Sequence, residues 1–472
     1  MLPYLYSAGT KAQSISQPID AHPDSIPFLK KSGIALSEII GLNLSVWATD
    51  RYILKADFSY INKKTIQDNF KTGFVWDSDL FGTNFILHPY HGSLYFNAAR
   101  ANGFNFYQSI PFSFTGSLTW EYLFENEPPS INDLISTTFG GAAIGEVTHR
   151  LSNKVLDNSA TGMNRIFREI AGTIISPING LNRLISGKAW KHESVSQTDQ
   201  TPIDLNITAG FHFLKPRMKS DHQLYTQIGL NLEYNPSLDK FEKPYDWFEL
   251  NARLNFNTNS IYVNRIHLSG LLWNKTLKDY SKGSFNLGLY QQFDFIDSPL
   301  KEYQHTPYRI AQVAALGAGL RYHTPIEKRL SIDGRIFLNG VGLGASLSDY
   351  YWVVDRDYSF GSGFSTRFDL SVSDRISGLQ FKLNAENYQL YTWKGYDPDR
   401  DLYQEDLKML DTQGDKGATN FTYIESQLGY QSRQGWNIYF APAYIRRSTN
   451  YAYHPPIRYS TYEFCIKVGY KM

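Results

Sequence analysis

The sequence predicts an antiparallel transmembrane β-barrel of about twelve strands, preceded by an N-terminal helical plug or periplasmic domain. Three observations predict this fold: apolar and polar residues alternate along the C-terminal half, short and long links join the alternating segments, and aromatic residues are abundant. The expected boundaries are 1–35 for a leader remnant or disordered N-terminus, 36–190 for the helical domain, 191–202 for a linker and 203–472 for the barrel.

The last segment of the chain has the clearest alternation. Apolar residues take the even positions and polar or small residues the odd ones: Tyr462, Phe464, Ile466, Val468 and Tyr470 against Thr461, Glu463, Cys465, Lys467 and Gly469. Successive side chains of a strand point to opposite faces, so this strand has one apolar and one polar face. A tilted strand needs roughly 9–11 residues to cross a bilayer, and the segments are long enough. The others lie near 203–214, 222–234, 246–258, 261–275, 283–295, 308–323, 328–345, 356–373, 375–391, 417–431 and 434–446.

The links between these segments also follow a pattern. The short turns HTPIEK, VSDR and QSRQG follow even-numbered segments, whereas FIDSPLKEYQHTP, SLSDYYWVVDRD and the stretch from about 392 to 416 follow odd-numbered ones. Short periplasmic turns opposite longer outer loops are typical of outer-membrane barrels. The link NPSLDKFEKPYD is an exception, because it is long where a short turn is expected.

The composition agrees with a barrel and excludes other classes. The net charge of +1 provides no basic field for nucleic acid. Aromatic residues make up 15% of the chain, and the mean hydropathy of −0.37 excludes a bundle of transmembrane helices. A barrel fits both values, because only alternate residues of its strands face lipid. The single cysteine, Cys465, allows neither an internal disulfide nor a cysteine-based metal site.

A soluble β-sandwich or closed soluble barrel is the alternative fold. Its alternating apolar face would cover a protein core instead of facing lipid. The polar face here carries many charges and amides, and aromatic residues stand at segment ends, as in an aromatic girdle. Both features favour the membrane barrel.

The N-terminus resembles the end of a secretion signal. A short apolar run precedes Lys11, Ala12 and Gln13, although the charged beginning of a signal peptide is missing. We hypothesise that the chain starts inside a leader and that the mature protein begins near Gln13. The alternative is a disordered start, and N-terminal sequencing of native protein distinguishes the two.

Residues 36–190 lose the period of two and are expected to form helices. Ser37 is the expected N-cap of the first helix, and another helix is expected after Pro111. Ser130 follows two prolines and is expected to cap the next helix, with Asp133 in its first turn, where the helix dipole favours a carboxylate. No predicted helix has the roughly 20 consecutive apolar residues that cross a bilayer. A polar helical module beside a polar lumen therefore predicts a plug or a periplasmic domain.

Several blocks of this region resemble a known family. They are HPYHGSLYFNAARANGF, GSLTWEYLFENEPPSINDLISTTFGGAAIGEVTHRLSN and INGLNRLISG. They resemble an uncharacterised bacterial domain-of-unknown-function family, in which this helical block precedes an outer-membrane barrel. The resemblance covers roughly residues 36 to 190. It implies a location in the bacterial envelope and brings no established activity.

Histidines and glutamates of the helical domain are candidates for catalysis or metal binding. Glu121 and Glu125 are four residues apart, and Glu146 with His149 forms Glu-x-x-His, so each pair shares a helix face. Di-metal carboxylate bundles use two Glu-x-x-His motifs, and the single copy here gives a metal little support. No cofactor is predicted, and the absence of familiar catalytic motifs disfavours an enzyme. The candidates are His88, His91, Glu121, Glu125, Glu146 and His149.

Structural ion pairs are the favoured role for the charged residues of this domain. Paired and hydrogen-bonded charges would hold the helices together or dock them on the barrel. The candidates are Arg100, Asp133, Arg150, Arg165, Arg168 and Glu169.

The sequence favours a bacterial outer-membrane protein with a channel, transport or envelope-structural role. Outer-membrane lipid would surround the barrel, and other envelope proteins are candidate partners. One alternative is an outer-membrane enzyme that acts on lipid through the His/Glu site. Another is a subunit of a larger envelope complex, suggested by the long loop near 392–416.

Overall fold

The computed structural model describes residues 27–194, 199–216, 223–238, 241–258, 260–280, 283–299, 306–324, 328–400, 406 and 408–472. The proposed leader junction near Gln13 lies outside these residues. Within them the helices are α1 (Phe28–Ala48), α2 (Lys63–Thr72), α3 (His88–Ala101), α4 (Phe106–Leu123), α5 (Ile131–Ile135), α6 (Gly141–Val155), α7 (Gly162–Ile175) and α8 (Pro177–Ile185). The strands are β1 (Ile203–Pro216), β2 (Gln223–Tyr234), β3 (Phe248–Phe256), β4 (Ile261–Tyr280), β5 (Gly283–Asp297), β6 (Arg309–His323), β7 (Leu330–Leu347), β8 (Tyr358–Asp374), β9 (Leu379–Thr392), β10 (Gly417–Gln431), β11 (Trp436–Tyr451) and β12 (Ile457–Lys471).

The strands form one closed antiparallel barrel. Each strand pairs with its neighbours in sequence, and β1 pairs with β12 to close the sheet. The predicted barrel of about twelve strands is therefore confirmed. We call the end at which β1 begins and β12 ends the proximal rim, and the opposite end the distal rim. The longest connection, 393–416, lies at the distal rim together with 298–308 and 348–357, whereas the long link 235–247 lies at the proximal rim.

Contacts across the lumen identify the inward side chains. Arg253 on β3 pairs with Glu425 on β10, with Nη1 and Oε2 2.5 Å apart, and Arg265 on β4 bonds to Glu386 on β9. Neighbouring positions on these strands therefore face outward. Outward side chains on nine strands form an exposed apolar belt that includes Phe211, Ile228, Leu289, Leu316, Leu338, Phe364, Leu428, Phe440 and Ile466.

The lumen is filled in its distal half and open in its proximal half. Inward apolar side chains from β1, β2, β5 to β7 and β9 to β11 form a buried distal layer that includes Leu214, Tyr225, Ile310, Tyr388, Phe421 and Ile445. Ion pairs between opposite walls cross the lumen next, among them Arg253–Glu425 and Arg265–Glu386. A cavity of about 920 Å³ occupies the proximal half. We call this cavity the vestibule.

The helices pack against the outside of the barrel wall. The Phe81 ring lies 4.9 Å from Phe295 on β5, and the Trp76 ring lies 5.1 Å from Phe360 on β8. Phe295 follows Asp294, which bonds to the inward His267, so Phe295 faces outward. The predicted plug is therefore not confirmed, because the helices contact the wall through side chains that point away from the lumen.

The helical domain reaches from one rim of the barrel to the other. At the proximal rim, Lys154 Nζ donates to the Asp199 carbonyl at 2.9 Å, just before β1. At the distal rim, Arg356 Nη1 donates to the Asp77 carbonyl at 2.7 Å. The helices therefore run beside the strands over the full height of the wall.

Local sequence explains where the helices begin and end. Helix α1 begins at Phe28 after Pro27, so Ser37 lies inside it and its hydroxyl donates to the Gly33 carbonyl at 2.8 Å. Pro111 lies within the first turns of α4 instead of before the helix. Ser130 does cap α5, since its hydroxyl accepts from the Asp133 amide. Among the described helices, none combines the length and apolar character that a bilayer crossing requires.

Candidate functional site

Six titratable side chains of the helical domain lie close together near the distal rim. Four different segments supply them: the link before α3, the start of α3, the end of α4, and α5. Pro128 and Pro129 end the α4 segment and return the chain toward α5, which brings acidic residues from both sides into one place. We call this group the carboxylate–histidine centre; its members are Asp77, Asp79, His88, Glu121, Glu125 and Asp133.

Asp77 is the best-anchored member of the centre. Its Oδ1 accepts from Asn84 at 2.8 Å, and its Oδ2 accepts from Asn132 at 2.9 Å. His88 Nε2 lies 3.3 Å from Asp133 Oδ1 and 3.8 Å from Asp79 Oδ2. Amide side chains therefore fix one carboxylate, and an imidazole stands between two more.

Glu121 of α4 and Glu125, which lies two residues after the end of α4, form the other side of the centre. Glu121 is 1% exposed, and its Oε2 accepts from the Ser130 amide at 2.8 Å. Glu125 Oε2 accepts from Trp120 Nε1 at 3.1 Å, and the two glutamates hydrogen-bond each other. The His91 ring packs on Tyr95 and Trp120 beside this pair. His88 and His91 therefore both lie near Glu121 and Glu125.

Burial changes the protonation of the carboxylates. It raises the pKa of Asp133 and of Glu125 well above the usual range, and the nearby charges of Asp77 and Glu121 add to the effect. Burial also raises the pKa of Glu121 to about 7. For Asp77 burial acts in the same direction, but hydrogen bonds from Asp133 and Asn84 outweigh it and lower the pKa. The protonated form is therefore favoured at Asp133 and Glu125, and the ionised form at Asp77.

The two histidines differ in protonation. Burial lowers the pKa of His88, but the hydrogen bond and charge of Asp79 outweigh it and raise the pKa above its ordinary value. Burial lowers the pKa of His91 to about 3, so His91 stays neutral. An imidazole with a raised pKa thus faces the acids, while a neutral one packs among aromatic rings.

This arrangement can donate and accept protons. Carboxyl groups with raised and lowered pKa values, next to a protonatable imidazole, supply both an acid and a base. Asp77, His88 and Asp133 also offer one ligand atom each within 4.8 Å of one another. Carboxylate oxygen with imidazole nitrogen is a donor set that divalent cations accept in proteins.

Glu146 and His149 lie apart from the centre, toward the proximal rim. Glu146 accepts from Arg100 Nε at 2.8 Å and from Arg150 Nε at 2.9 Å. His149 Nε2 lies 3.0 Å from Asn153, and burial together with the two arginines lowers its pKa well below the ordinary value. The structure therefore divides the six candidates from the sequence between two places.

The candidate ion-pair residues lie in different surroundings. Arg165 Nη2 lies 3.5 Å from Glu169, which also pairs with Arg183 at 2.6 Å. Arg168 bonds to Asn164 and to the Val155 carbonyl and not to a carboxylate. Asp133 belongs to the carboxylate–histidine centre. The predicted set thus includes residues that form ion pairs between helices and one residue, Asp133, of the candidate site.

Sequence reasoning missed Asp77 and Asp79. Both lie in the stretch VWDSDLFGTN, whose glycine, aspartate and asparagine residues predict a polar link. The available signal was the apolar residues Phe81 and Phe85, which follow the two aspartates and are buried against the barrel. A solvent-exposed link would have no reason to carry them.

Residues 73–178 match the family model of DUF3943, a domain of unknown function, and the barrel follows this match. The resemblance inferred from the sequence is therefore confirmed. No curated protein matches the chain.

Solved structures with a related fold are outer-membrane barrels. The NanC porin is 14% identical, with 57% of this chain and 100% of that chain covered and a TM-score of 0.28. OmpT of Vibrio cholerae is 10% identical over 58% of this chain and 99% of that chain, with a TM-score of 0.20. The toluene transporter TodX of Pseudomonas putida is 8% identical over 58% and 89%, with a TM-score of 0.22. Likenesses this distant say nothing about what the chain binds.

Proposed function

We propose that this protein is an integral outer-membrane barrel without a constitutively open pore, and that its barrel anchors the helical domain in the bacterial envelope. The observation that carries the proposal is the filled distal half of the lumen. An envelope-structural role follows from it, in preference to passive diffusion.

The outer surface of the barrel supports a location in the membrane. On β12 the outward Phe464 and Ile466 are 40% and 45% exposed, whereas the inward Cys465 and Lys467 are 4% and 5% exposed. A barrel in lipid has large apolar side chains on its outer face and charged side chains on its inner face. In water, this belt would be a large exposed apolar patch, which soluble proteins rarely have.

The interior supports a closed barrel. Tyr388 and Phe421 of the distal layer lie on neighbouring strands with their rings 5.9 Å apart, and Tyr308 reaches across to Glu463. Each of the two rings is at most 2% exposed. Ions would have to cross this apolar layer and then the paired charges below it, and both steps oppose passive conduction.

The helical domain is proposed to lie in the lipid beside the barrel. It spans the wall between the two rims, so it stands at the level of the apolar belt. Its surface away from the barrel is also apolar: Ile166, Phe167, Ile170 and Ile174 of α7 are each at least 50% exposed. Its polar groups, Glu121 and Glu146 among them, are buried inside. Lipid favours this inverted distribution.

Planar-bilayer recording tests the closed barrel. Purified full-length wild type should give no steady conductance, whereas the combined variant Tyr225→Ala/Tyr388→Ala/Phe421→Ala should give ion-conducting openings. The outward Phe440→Ala is the matched control and should behave as wild type. Steady wild-type currents of porin size would contradict the proposal.

Spin labelling tests the position of the helices. A Cys465→Ala background with a single cysteine at Ile170 would be labelled and reconstituted in liposomes, with Phe440 as the belt reference and exposed Lys188 as the aqueous reference. The label at Ile170 should be accessible to oxygen and shielded from a nickel complex, as at Phe440. If the nickel complex reached the label at Ile170 but not the label at Phe440, the position of the helical domain in lipid would be refuted, whereas the closed barrel would not be affected.

A second candidate function is an enzyme that acts on membrane lipid at the carboxylate–histidine centre. The observation in its favour is the convergence of acid, base and imidazole groups with partial access from outside. The His88 side chain is 17% exposed and Asp79 is 47% exposed, and apolar Leu87 and Tyr90 are exposed beside them. A lipid could therefore present a polar bond to the centre while its chains contact apolar residues.

Lipid turnover in mixed micelles tests the enzyme. The wild type should hydrolyse phospholipid, and Glu121→Gln and His88→Asn should each abolish turnover while the protein stays folded. Glu127→Gln changes an exposed glutamate outside the centre and should retain turnover. Unchanged turnover in Glu121→Gln, or none in the wild type, would exclude this candidate.

A further inference from the structure

We propose that the vestibule is a binding site for a small soluble oxyanion, such as a phosphate or a carboxylate compound, and that Lys467 is its central cation. The inference concerns the proximal half of the lumen and is independent of the roles proposed for the helical domain.

The lining of the vestibule carries an excess of positive charge. Ten lysine and arginine side chains line the cavity of about 920 Å³, against seven aspartate and glutamate side chains. The cavity is enclosed by the barrel wall and opens between the proximal turns, near Arg375 and Arg433. A cavity with walls of one predominant charge focuses the electrostatic potential and attracts ions of the opposite sign.

The carboxylates of this lining all have cationic partners already. Asp333 pairs with Arg321 at 2.8 Å, and Arg335 lies 2.5 Å from Glu249. The other carboxylates are paired in the same way: Asp204 with Lys471, Glu233 with Arg321, Asp369 with Arg367, Asp374 with Arg329, and Glu425 with Arg253.

Two lysines remain without such a partner. Lys467 on β12 is 5% exposed and lines the vestibule, yet within the described chain no carboxylate lies within 4.0 Å of its Nζ and no acceptor bonds to it. Both carboxylate oxygens of Glu425 accept from Arg253, and Glu425 makes no hydrogen bond to Lys467. Lys382 on β9 also lines the cavity with no carboxylate partner among the described residues.

Guanidinium groups deeper in the same lining are also incompletely bonded. Arg265 is 3% exposed, and its Nε and Nη1 have no hydrogen-bond acceptor; Arg321 Nη1 has none either. Unpaired buried donors are rare in proteins, and charged ones are the most costly. Their gathering around one cavity points to a missing acceptor with negative charge.

An oxyanion satisfies these groups together. Its oxygens can accept from the ammonium of Lys467 and Lys382, and its charge offsets the excess of cations. The cavity is larger than a phosphate ion alone needs, so it suits a compound that carries an anionic group on a small organic body. The proximal opening admits ligands from the side on which the short turns lie.

Calorimetry on the full-length protein in detergent tests the site. Inorganic phosphate and citrate are the probes, and glucose is the uncharged control. Both anions should bind wild type saturably, whereas glucose should give no binding heat. Lys467→Met, which keeps the apolar stem and removes the charge, should raise the Kd at least about tenfold. Lys188→Met, an exposed lysine of the helical domain, should leave the Kd unchanged.

Thermal unfolding without added anion provides the second measurement. Lys467→Met should melt no lower than wild type, because the lysine has no partner to lose in the empty site. A lower melting temperature would mean that Lys467 is paired in the folded protein, and the inference would be overturned. It would equally be overturned by the absence of saturable anion binding, or by an unchanged Kd in Lys467→Met.

Discussion

Replacing Glu146 by glutamine tests how the helical domain is held together. Glu146 is fully buried and accepts from Arg100 at 2.8 Å and 3.2 Å and from Arg150 at 2.9 Å. Glutamine keeps the shape but removes the counter-charge of Arg100 and one of the two counter-charges of Arg150. Breaking a buried pair in this way costs about 3–5 kcal/mol. Arg150 keeps Asp246 and the Pro244 carbonyl, so we expect about 3 kcal/mol.

This loss can be measured separately for the two parts of the molecule. For a domain of this size, about 3 kcal/mol corresponds to a melting temperature lower by roughly 6–12 °C in the helical circular-dichroism signal. The barrel should keep its heat-modifiable mobility on gels. Glu127→Gln breaks an exposed pair with Lys408 and should cost less than about 1 kcal/mol. If Glu146→Gln melts no lower than this control, the buried triad does not stabilise the domain as argued.

Three further predictions concern the centre, the lumen and the helix contacts. In the folded protein the pKa of Glu121 is raised to about 7, so ionisation of Glu121 lowers the stability of the wild type as the pH rises above the pKa of this residue in the unfolded chain. The melting temperature of Glu121→Gln should therefore rise relative to that of the wild type between about pH 5 and about pH 8. A difference in melting temperature that does not change over this range would contradict the raised pKa. Phe421→Ala should lose about 3–5 kcal/mol in urea unfolding, because its ring is fully buried in the lumen, whereas outward Phe464→Ala should lose much less. Gly92→Ala places a methyl group 1.8 Å from a carbonyl oxygen of the neighbouring turn and should lower the melting temperature of the helical domain. Gly33→Ala has open space around it and should leave the melting temperature unchanged or raise it. Equal melting temperatures of the two glycine variants would refute the close contact at Gly92.

The barrel could be predicted because its signal is local. Each strand carries its own period of two, and Phe464, Cys465 and Ile466 face alternately outward and inward as their polarity requires. Pairing between neighbours in sequence then follows from short links. No information from distant parts of the chain was needed.

The position of the helices could not be predicted, because the outward side of a strand looks the same whether lipid or protein covers it. Phe293 and Phe295 are apolar and fully or nearly fully buried under helices, whereas Leu289 on the same face is 36% exposed. All three residues lie on the outward face of β5 and fit the same alternating pattern of apolar and polar residues. The distal layer was missed for a related reason: Tyr388 and Phe421 stand at positions that the alternation assigns to a polar lumen.

The candidate site was predictable only in part. The spacing of four residues predicted that Glu121 and Glu125 lie close together, although α4 ends at Leu123 and Glu125 belongs to the link after it. Their approach to His88 depends on how three helices cross, and Asp77 joins them through the amides of Asn84 and Asn132. These are contacts between residues far apart in the sequence, and no periodicity records them.

The contact between the helices and the outer wall has a consequence for the order of assembly. The helical domain is synthesised first, yet Phe81 and Phe85 find their partners on β5 and β8 only after those strands have paired. The β1–β12 seam, where Phe213 stacks on Phe464, is away from these contacts. A nascent barrel can therefore close its seam last while the helices already rest on the finished strands. Until those strands have paired, Phe81 and Phe85 lack the aromatic partners that cover them in the folded protein.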